Sequence, residues 1–268
     1  MYKLLLVTGQ ADVAQAFTGI QDMTRLFFDP VTVVSTTEEA IGHLRHPGAQ
    51  AIAFDPDSPE AGSLQEHLAT QYPYLPIMRT HRRGDGLRNE LSMLREVLDQ
   101  LHGDFSDDEN DVPMILARLE QETLRRLLEE RLANANELRS RLLLARSPLK
   151  AELPALLFEF DLRDGASFLS RRWSHGFDRL DLSLRANFFG QIPGPLVYSS
   201  ALLSPLRMRV LACAVTPLAE RELDLLSAQT QQLVLGMAAQ VKIYMDLELA
   251  CTQFRVLSRL EDLIPPNH

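Results

Sequence analysis

The sequence predicts a two-part α/β protein: an N-terminal doubly wound parallel sheet, a long helical linker and a C-terminal α+β domain. Three observations carry that prediction. Over residues 1–112, short apolar runs alternate with segments of helical length, the pattern of βαβ units. Runs such as "KLLLV" and "AIAF" lack polar alternation, as strands buried on both faces do. Beyond an acid-rich break the elements restart in a different order. The 268 residues are enough for two domains of ordinary size.

Each element has its own signal. "KLLLVT" (3–8) reads as a strand, 11–27 as a helix and "VTVVS" (31–35) as a second strand. "TTEEAIGHLRHPG" reads as a helix capped by Thr36 or Thr37, with Glu38 and Glu39 in its first turn and Gly48 past its end. "AQAIAFD", "SLQEHLATQYP", "LPIMRT" and "GLRNELSMLREVLDQLHG" continue the alternation as strand, helix, strand and helix. "GDFSDDENDVP" (103–113) reads as a surface loop or a poorly formed last strand. From 113 to about 145 the pattern is one long helix. Its stripe of Ile115, Leu116, Leu119, Leu127, Leu128, Leu132, Leu138 and Leu142 fits either a local core or a dimer seam, with Leu119, Leu127, Leu128 and Leu132 as the seam candidates. The expected divisions are 1–112, a linker over 113–148, and 149–268. In the last part 154–162 reads as a strand and "GASFLSRRWSHGFDRLDLSLRANFFGQI" as helix. Residues 193–217 read as two strands turning at Ser204-Pro205. Residues 218 to about 263 read as one helix carrying Leu223, Leu226, Leu233, Val234, Met237, Val241, Tyr244 and Leu247 at helical spacings.

Composition narrows the function classes. The net charge is −9 and the 27 basic residues are scattered. Arg82-Arg83 and Arg171-Arg172 read as solvated faces, and no basic stripe suggests nucleic-acid binding. No apolar run reaches the roughly 18 residues of a membrane span, and the opening "MYKLLLVTGQADV" lacks the apolar core and cleavage site of a signal peptide. A cytoplasmic protein is expected. Cys213 and Cys251 sit in apolar settings without metal-ligand spacing and read as buried thiols.

The strand ending "AIAFDPDSP" carries the most chemistry. Together with "MYKLLLVTGQADV", "VVSTTEEAIGHL" and "YPYLPIMRT" it resembles a two-component receiver domain, covering residues 1 to about 112. The resemblance implies a flavodoxin-like sheet, Asp55 as phospho-acceptor and Thr80 as the switch hydroxyl. The whole chain resembles AraC-type response regulators without their C-terminal helix-turn-helix. The linker is similar to the join into their middle domain, and the last part looks like a degenerate GGDEF-type cyclase domain, with "VYSSALLSPLRMRVLACAV" where the hairpin would lie.

Departures from these families set the expected function. An active receiver places an acidic pair after its first strand to hold Mg²⁺, which offsets repulsion between the aspartate and an incoming phosphoryl group. Here the positions read Thr8, Gly9 and Gln10, with Asp12 and Asp57 as weak metal candidates. The acid-rich segment where the family has a lysine has none. "SALLSPLR" lacks the glycine pair and acid of a cyclase hairpin, leaving Glu159 and Asp161 on the preceding strand. His175 beside Trp173 and Asp178 has no nucleophile in a recognisable setting. Trp173, Phe177, Phe188 and Phe189 could line a pocket but read as core. The expectation is a pseudo-receiver: a non-enzymatic signalling protein acting through protein contacts, with a homodimer or a related response regulator as partner and no direct nucleic-acid or membrane binding. No cofactor is expected, save Mg²⁺ if Asp55 is active. The alternative is the regulatory part of, or partner to, an AraC-type transcription factor with Asp55 as phospho-acceptor.

Overall fold

The computed structural model describes residues 1–45, 48–59, 61–80, 86–102 and 111–265. The chain divides into two compact units, Met1–Glu120 with Ser140–Ser147, and Gln121–Arg139 with Pro148–His268. Residues 113–148, expected as a linker, are thus shared between the units.

In the first unit the strands are β1 (Leu4–Val7), β2 (Thr32–Val34), β3 (Ala51–Phe54) and β4 (Ile77–Arg79). They form a parallel sheet in the order β2-β1-β3-β4, with Leu5 opposite both Thr32 and Ile52. Successive side chains point to opposite faces, and both faces are covered. Leu4, Leu6, Ala53 and Met78 pack with Val13 and Phe17 of helix α1 (Ala11–Thr18) and with the leucines of α4 (Leu87–His102). Leu5, Ile52, Phe54 and Ile77 pack with Ala40 and Leu44 of α2 (Thr37–Arg45) and Leu64 and Leu68 of α3 (Ala61–Gln71). Double coverage explains the uninterrupted apolar runs. The helix expected over 11–27 stops at Thr18, where Gly19 turns the chain, and resumes as a 3-10 turn at Met23–Leu26. Thr36 is the cap of α2: its hydroxyl accepts the Glu39 N–H at 3.2 Å. The loop or last strand expected at 103–113 lies, through residue 110, outside the described residues, and Asp111 already begins the next helix.

The single helix expected over 113–145 is two, α5 (Asp111–Leu128) and α6 (Ala135–Leu144). Glu130 adopts φ 58, the Arg131 N–H donates to Arg126 O at 2.8 Å and the Glu130 N–H to Leu127 O at 3.1 Å. This paired closure satisfies the last carbonyls of α5 and ends it. Asn134 then caps α6, its Oδ1 accepting the Glu137 N–H at 2.9 Å, while the Glu137 carboxylate takes the Ala133 N–H at 2.8 Å.

The second unit runs β5 (Ala155–Arg163), α7 (Gly165–Arg171), α8 (Phe177–Asn187), β6 (Val197–Ser204), β7 (Arg207–Cys213), α9 (Glu220–Met245) and β8 (Glu248–Leu257). The sheet is antiparallel, in the order β6-β7-β5-β8, a split β-α-β arrangement. One face packs Phe158, Phe160, Val210 and Tyr198 against α7, α8 and α9. The other carries buried Leu157, Ala201 and Leu211, and Arg209, which donates to Leu128 O at 2.9 Å and pairs with Glu130 at 2.6 Å. The helix expected over 218–263 is corrected: it ends at Met245, Asp246 takes φ 54, and β8 follows as an edge strand. Of the residues expected on its apolar stripe, Leu247 lies beyond the helix and is buried in the core, while Leu233 and Tyr244 stay on the helix but are exposed. The segment expected as one helix after β5 is likewise broken, by Gly176 at φ 84, into α7, α8 and a 3-10 turn at Phe189–Gln191.

Candidate functional site

A cleft of about 260 Å³ opens at the carboxyl ends of β1 and β3. Its position follows from topology. The chain leaves β1 toward β2 on one side and β3 toward β4 on the other, so the following loops part between the two strands. Thr8, Gly9 and Gln10 line it from β1, Ser35 and Thr37 from the entry to α2, and Asp55, Ser58 and Pro59 from the loop after β3.

Asp55 is half-buried, and its Oδ1 accepts the Asp57 N–H at 3.1 Å, a local turn that aims the carboxylate at the cleft mouth. The Ser58 N–H caps the Asp55 carbonyl at 3.2 Å. No lysine or arginine among the described residues forms an ion pair with Asp55. The other acids do not join it. Asp57 is ion-paired with Arg79 on β4. Asp12 is exposed in the first turn of α1, where its Oδ1 accepts the neighbouring Val13 N–H at 3.0 Å. Neither lines the cleft. Thr80 is 5% exposed, its N–H held by Phe54 O at 3.0 Å, and it too stands outside the cleft lining. Among the described residues no three His, Cys, Asp or Glu side chains gather where they could hold a metal. One carboxylate among neutral hydroxyls does not fit a site that must neutralise both an aspartate and a phosphoryl group.

The remaining candidates fall into the second unit. Glu159 faces Arg209 at 2.9 Å, with Arg207 at 3.8 Å and Arg255 at 4.0 Å, so it is bound within an arginine cluster. Asp161 is exposed two residues on. His175 is exposed and meets Trp173 edge-on with ring centres 5.4 Å apart, while the Trp173 Nε1–H donates to Gly176 O. Asp178 is an exposed first-turn residue of α8. Phe188 and Phe189 are core residues, and Trp173 and Phe177 are partly buried against the same cluster. Cys213 is buried and Cys251 half-buried, neither is in a disulfide, and burial pushes the Cys251 thiol up. Of the seam candidates, Leu127, Leu128 and Leu132 are buried inside the chain, and Leu119 packs on the first unit's core. The stripe is occupied by local packing, the first of its two readings.

Sequence reading missed Asp181. This α8 carboxylate is 2% exposed, accepts the Leu202 N–H at 2.7 Å where β6 bulges, and lies 3.9 Å from Arg125. Burial raises its pKa, against the opposing pull of the Leu202 hydrogen bond and Arg125. It also missed the Ser35 and Ser58 positions at the cleft, whose only signal was small polar residues at strand and loop ends. Compared with known proteins, the chain matches no family model and no curated protein sequence.

Proposed function

We propose that this chain is a non-enzymatic signalling protein, related to two-component response regulators, whose receiver-like first unit acts through protein contacts without standard aspartyl phosphorylation. The observation that carries the reading is the cleft lining. Asp55 is its one acid among the described residues, while Asp57 is held by Arg79 and Asp12 stands apart. The order β2-β1-β3-β4 agrees with the first four strands of the flavodoxin-like sheet, and the split β-α-β order of the second unit is compatible with a palm-like cyclase relative. In that second unit the strand acid Glu159 is neutralised by arginines, which supports a regulatory role over nucleotide chemistry.

Intact mass after incubation with a small phosphodonor and Mg²⁺ tests this reading. No adduct is expected under conditions that label an active receiver. A gain of about 80 Da that disappears in Asp55→Ala overturns the proposal and makes the chain a phosphorylation switch. Gly9→Asp sharpens the test. A Cβ at Gly9 meets nothing within 4 Å, so a side chain can start at this cleft-lining position without a clash. Labelling gained by that variant alone is the outcome expected if the lost acid is what silences the site.

A further inference from the structure

We propose that the outer face of α9 is a homodimer interface, on which two copies of this chain pair antiparallel about a two-fold axis. The proposal deepens the function above by naming its contact surface, and it rests on that reading only for its signalling consequence.

The observation is a helix whose solvent face lacks charge. Between Asp224 and Lys242 no residue is charged, although α9 exposes one side along its whole length. An exposed helix face ordinarily carries Lys, Arg, Glu or Asp. Here it carries Leu225 (62% exposed), Leu233, Leu235 and Ile243 (69% exposed), spaced by Gln, Ala and Gly. Gly236 is the sharpest anomaly. It sits in mid-helix at a cost of about 1 kcal/mol relative to Ala, and a Cβ there meets nothing within 4 Å. The folded single chain gives no use for it, whereas a second helix approaching closely does.

The seam reads Leu225, Gln229, Gln232, Gly236, Ala239, Ile243, alternating steps of four and three as in a coiled-coil face. All six positions are exposed. Turned end for end, this row matches itself. Leu225 meets the second copy's Ile243, Gln229 meets Ala239, and Gln232 meets Gly236. The ends pair apolar with apolar, and each glutamine faces a small residue that leaves it room. Charge completes the match. Asp224 and Lys242 lie on one flank of the helix, about five turns apart, and in an antiparallel pair equivalent flanks oppose each other. Each Asp224 is then brought beside the other copy's Lys242. A parallel pair instead puts the two copies of this flank on opposite sides of the seam, so neither Asp224 nor Lys242 finds the other copy's charge. Lys242 already contacts Asp246 at 2.9 Å, and its three N–H donors can serve both. One patch binding its own copy is the isologous arrangement of two-fold dimers.

Sedimentation equilibrium on the full chain tests the interface. The wild type is expected to self-associate. Gly236→Lys is expected to weaken association at least tenfold while leaving the thermal midpoint unchanged or higher, since it adds a helix former at an open site. Asp224→Lys and Lys242→Asp are each expected to weaken the dimer, and the double variant to recover most of the loss. A wild type that stays monomeric across the range, or a dimer indifferent to Gly236→Lys, overturns the proposal. A dimer broken by Gly236→Lys yet blind to the charge swap overturns the antiparallel register. Failure here leaves the phosphodonor result standing, because the two experiments read different units.

Discussion

Asp55 in the first unit and Asp181 in the second are both carboxylates set against a sheet, yet their surroundings differ in kind. Asp181 is fully enclosed, and its oxygens serve a backbone N–H at the β6 bulge and face an arginine. One oxygen accepts the Leu202 N–H and the other lies 3.9 Å from Arg125, in keeping with the rule that buried polar groups find partners. Asp55 is half-buried, takes one local N–H, and turns toward an open cleft. Glu159 belongs with Asp181, held by arginines on neighbouring strands. A carboxylate whose partners all come from the fold is structural, while one with spare acceptor capacity at a strand end is available to a ligand or a partner protein. The contrast makes Asp55, at the first unit's cleft, the one of the two with room for a ligand.

Glycine gives the largest expected effect and the strongest test of the contrast. Gly165 at the start of α7 lies under the β6–β7 turn, where a Cβ would stand 1.9 Å from Pro205 O. Gly165→Ala is expected to cost about 3 kcal/mol or more, because the turn must shift and the Leu162 N–H loses its 2.8 Å bond to Leu206 O. Gly9→Ala at the cleft is expected to stay within about 0.5 kcal/mol. Chemical denaturation of both variants reads the difference, and equal losses would break the distinction between a packed second unit and an open first-unit cleft.

Asp181 comes next. Asp181→Ala leaves the Leu202 N–H unsatisfied and is expected to cost about 1–3 kcal/mol. Asp181→Asn keeps an acceptor and separates the hydrogen bond from the charge. Burial holds the folded pKa above the unfolded value of about 3.9, so the folded state binds the proton more tightly. That contribution is complete below the unfolded pKa and is lost as pH rises through the folded one. The wild type is therefore expected to lose stability relative to Asp181→Asn as pH climbs from about 4 toward neutrality, read from unfolding midpoints across that range. A flat difference would show that the carboxylate is already relieved by Arg125.

Tyr2 gives the smallest effect. Its hydroxyl donates to Asp99 at 2.7 Å, and burial, then the Asp99 hydrogen bond and charge, push its pKa up to about 12. Its contribution is present below about 10 and is lost as pH rises through about 12. Ultraviolet titration is expected to show Tyr2 ionising late, together with Tyr198, which burial also pushes up, and the late phase to shrink in Tyr2→Phe, with at most about 1 kcal/mol lost at neutral pH.

The first unit was the more legible because its central strands are buried on both sides and alternate regularly with helices. The apolar run of β3 placed Asp55 at a strand end, where it lines the cleft, whereas Asp12, Asp57 and Thr80 stand outside the lining. In the second unit β8 was hidden by its own bulge. Leu247, Leu249 and Cys251 alternate toward the core, then the register shifts opposite Glu159–Phe160 and Phe254 takes the next inward position. The resulting spacing mimics a helix, and the preceding 26-residue α9 extends the illusion. The break between α5 and α6 had a signal, Asn134 three residues before Glu137, but the leucine stripe runs through it. Asp181 had none, since its partner Leu202 is distant in sequence.

By itself the sequence determined the alternation of strands and helices in the first unit and the absence of acids at Thr8, Gly9 and Gln10. These depend on residue type and local spacing, which act over a few neighbours. Only the tertiary structure decided that Asp57 belongs to Arg79, that Leu127, Leu128 and Leu132 are spent on the chain's own core, and that β8 closes the second sheet beside β5. Those outcomes depend on which distant groups arrive together, and burial and pairing energies are set there, where periodicity carries no information.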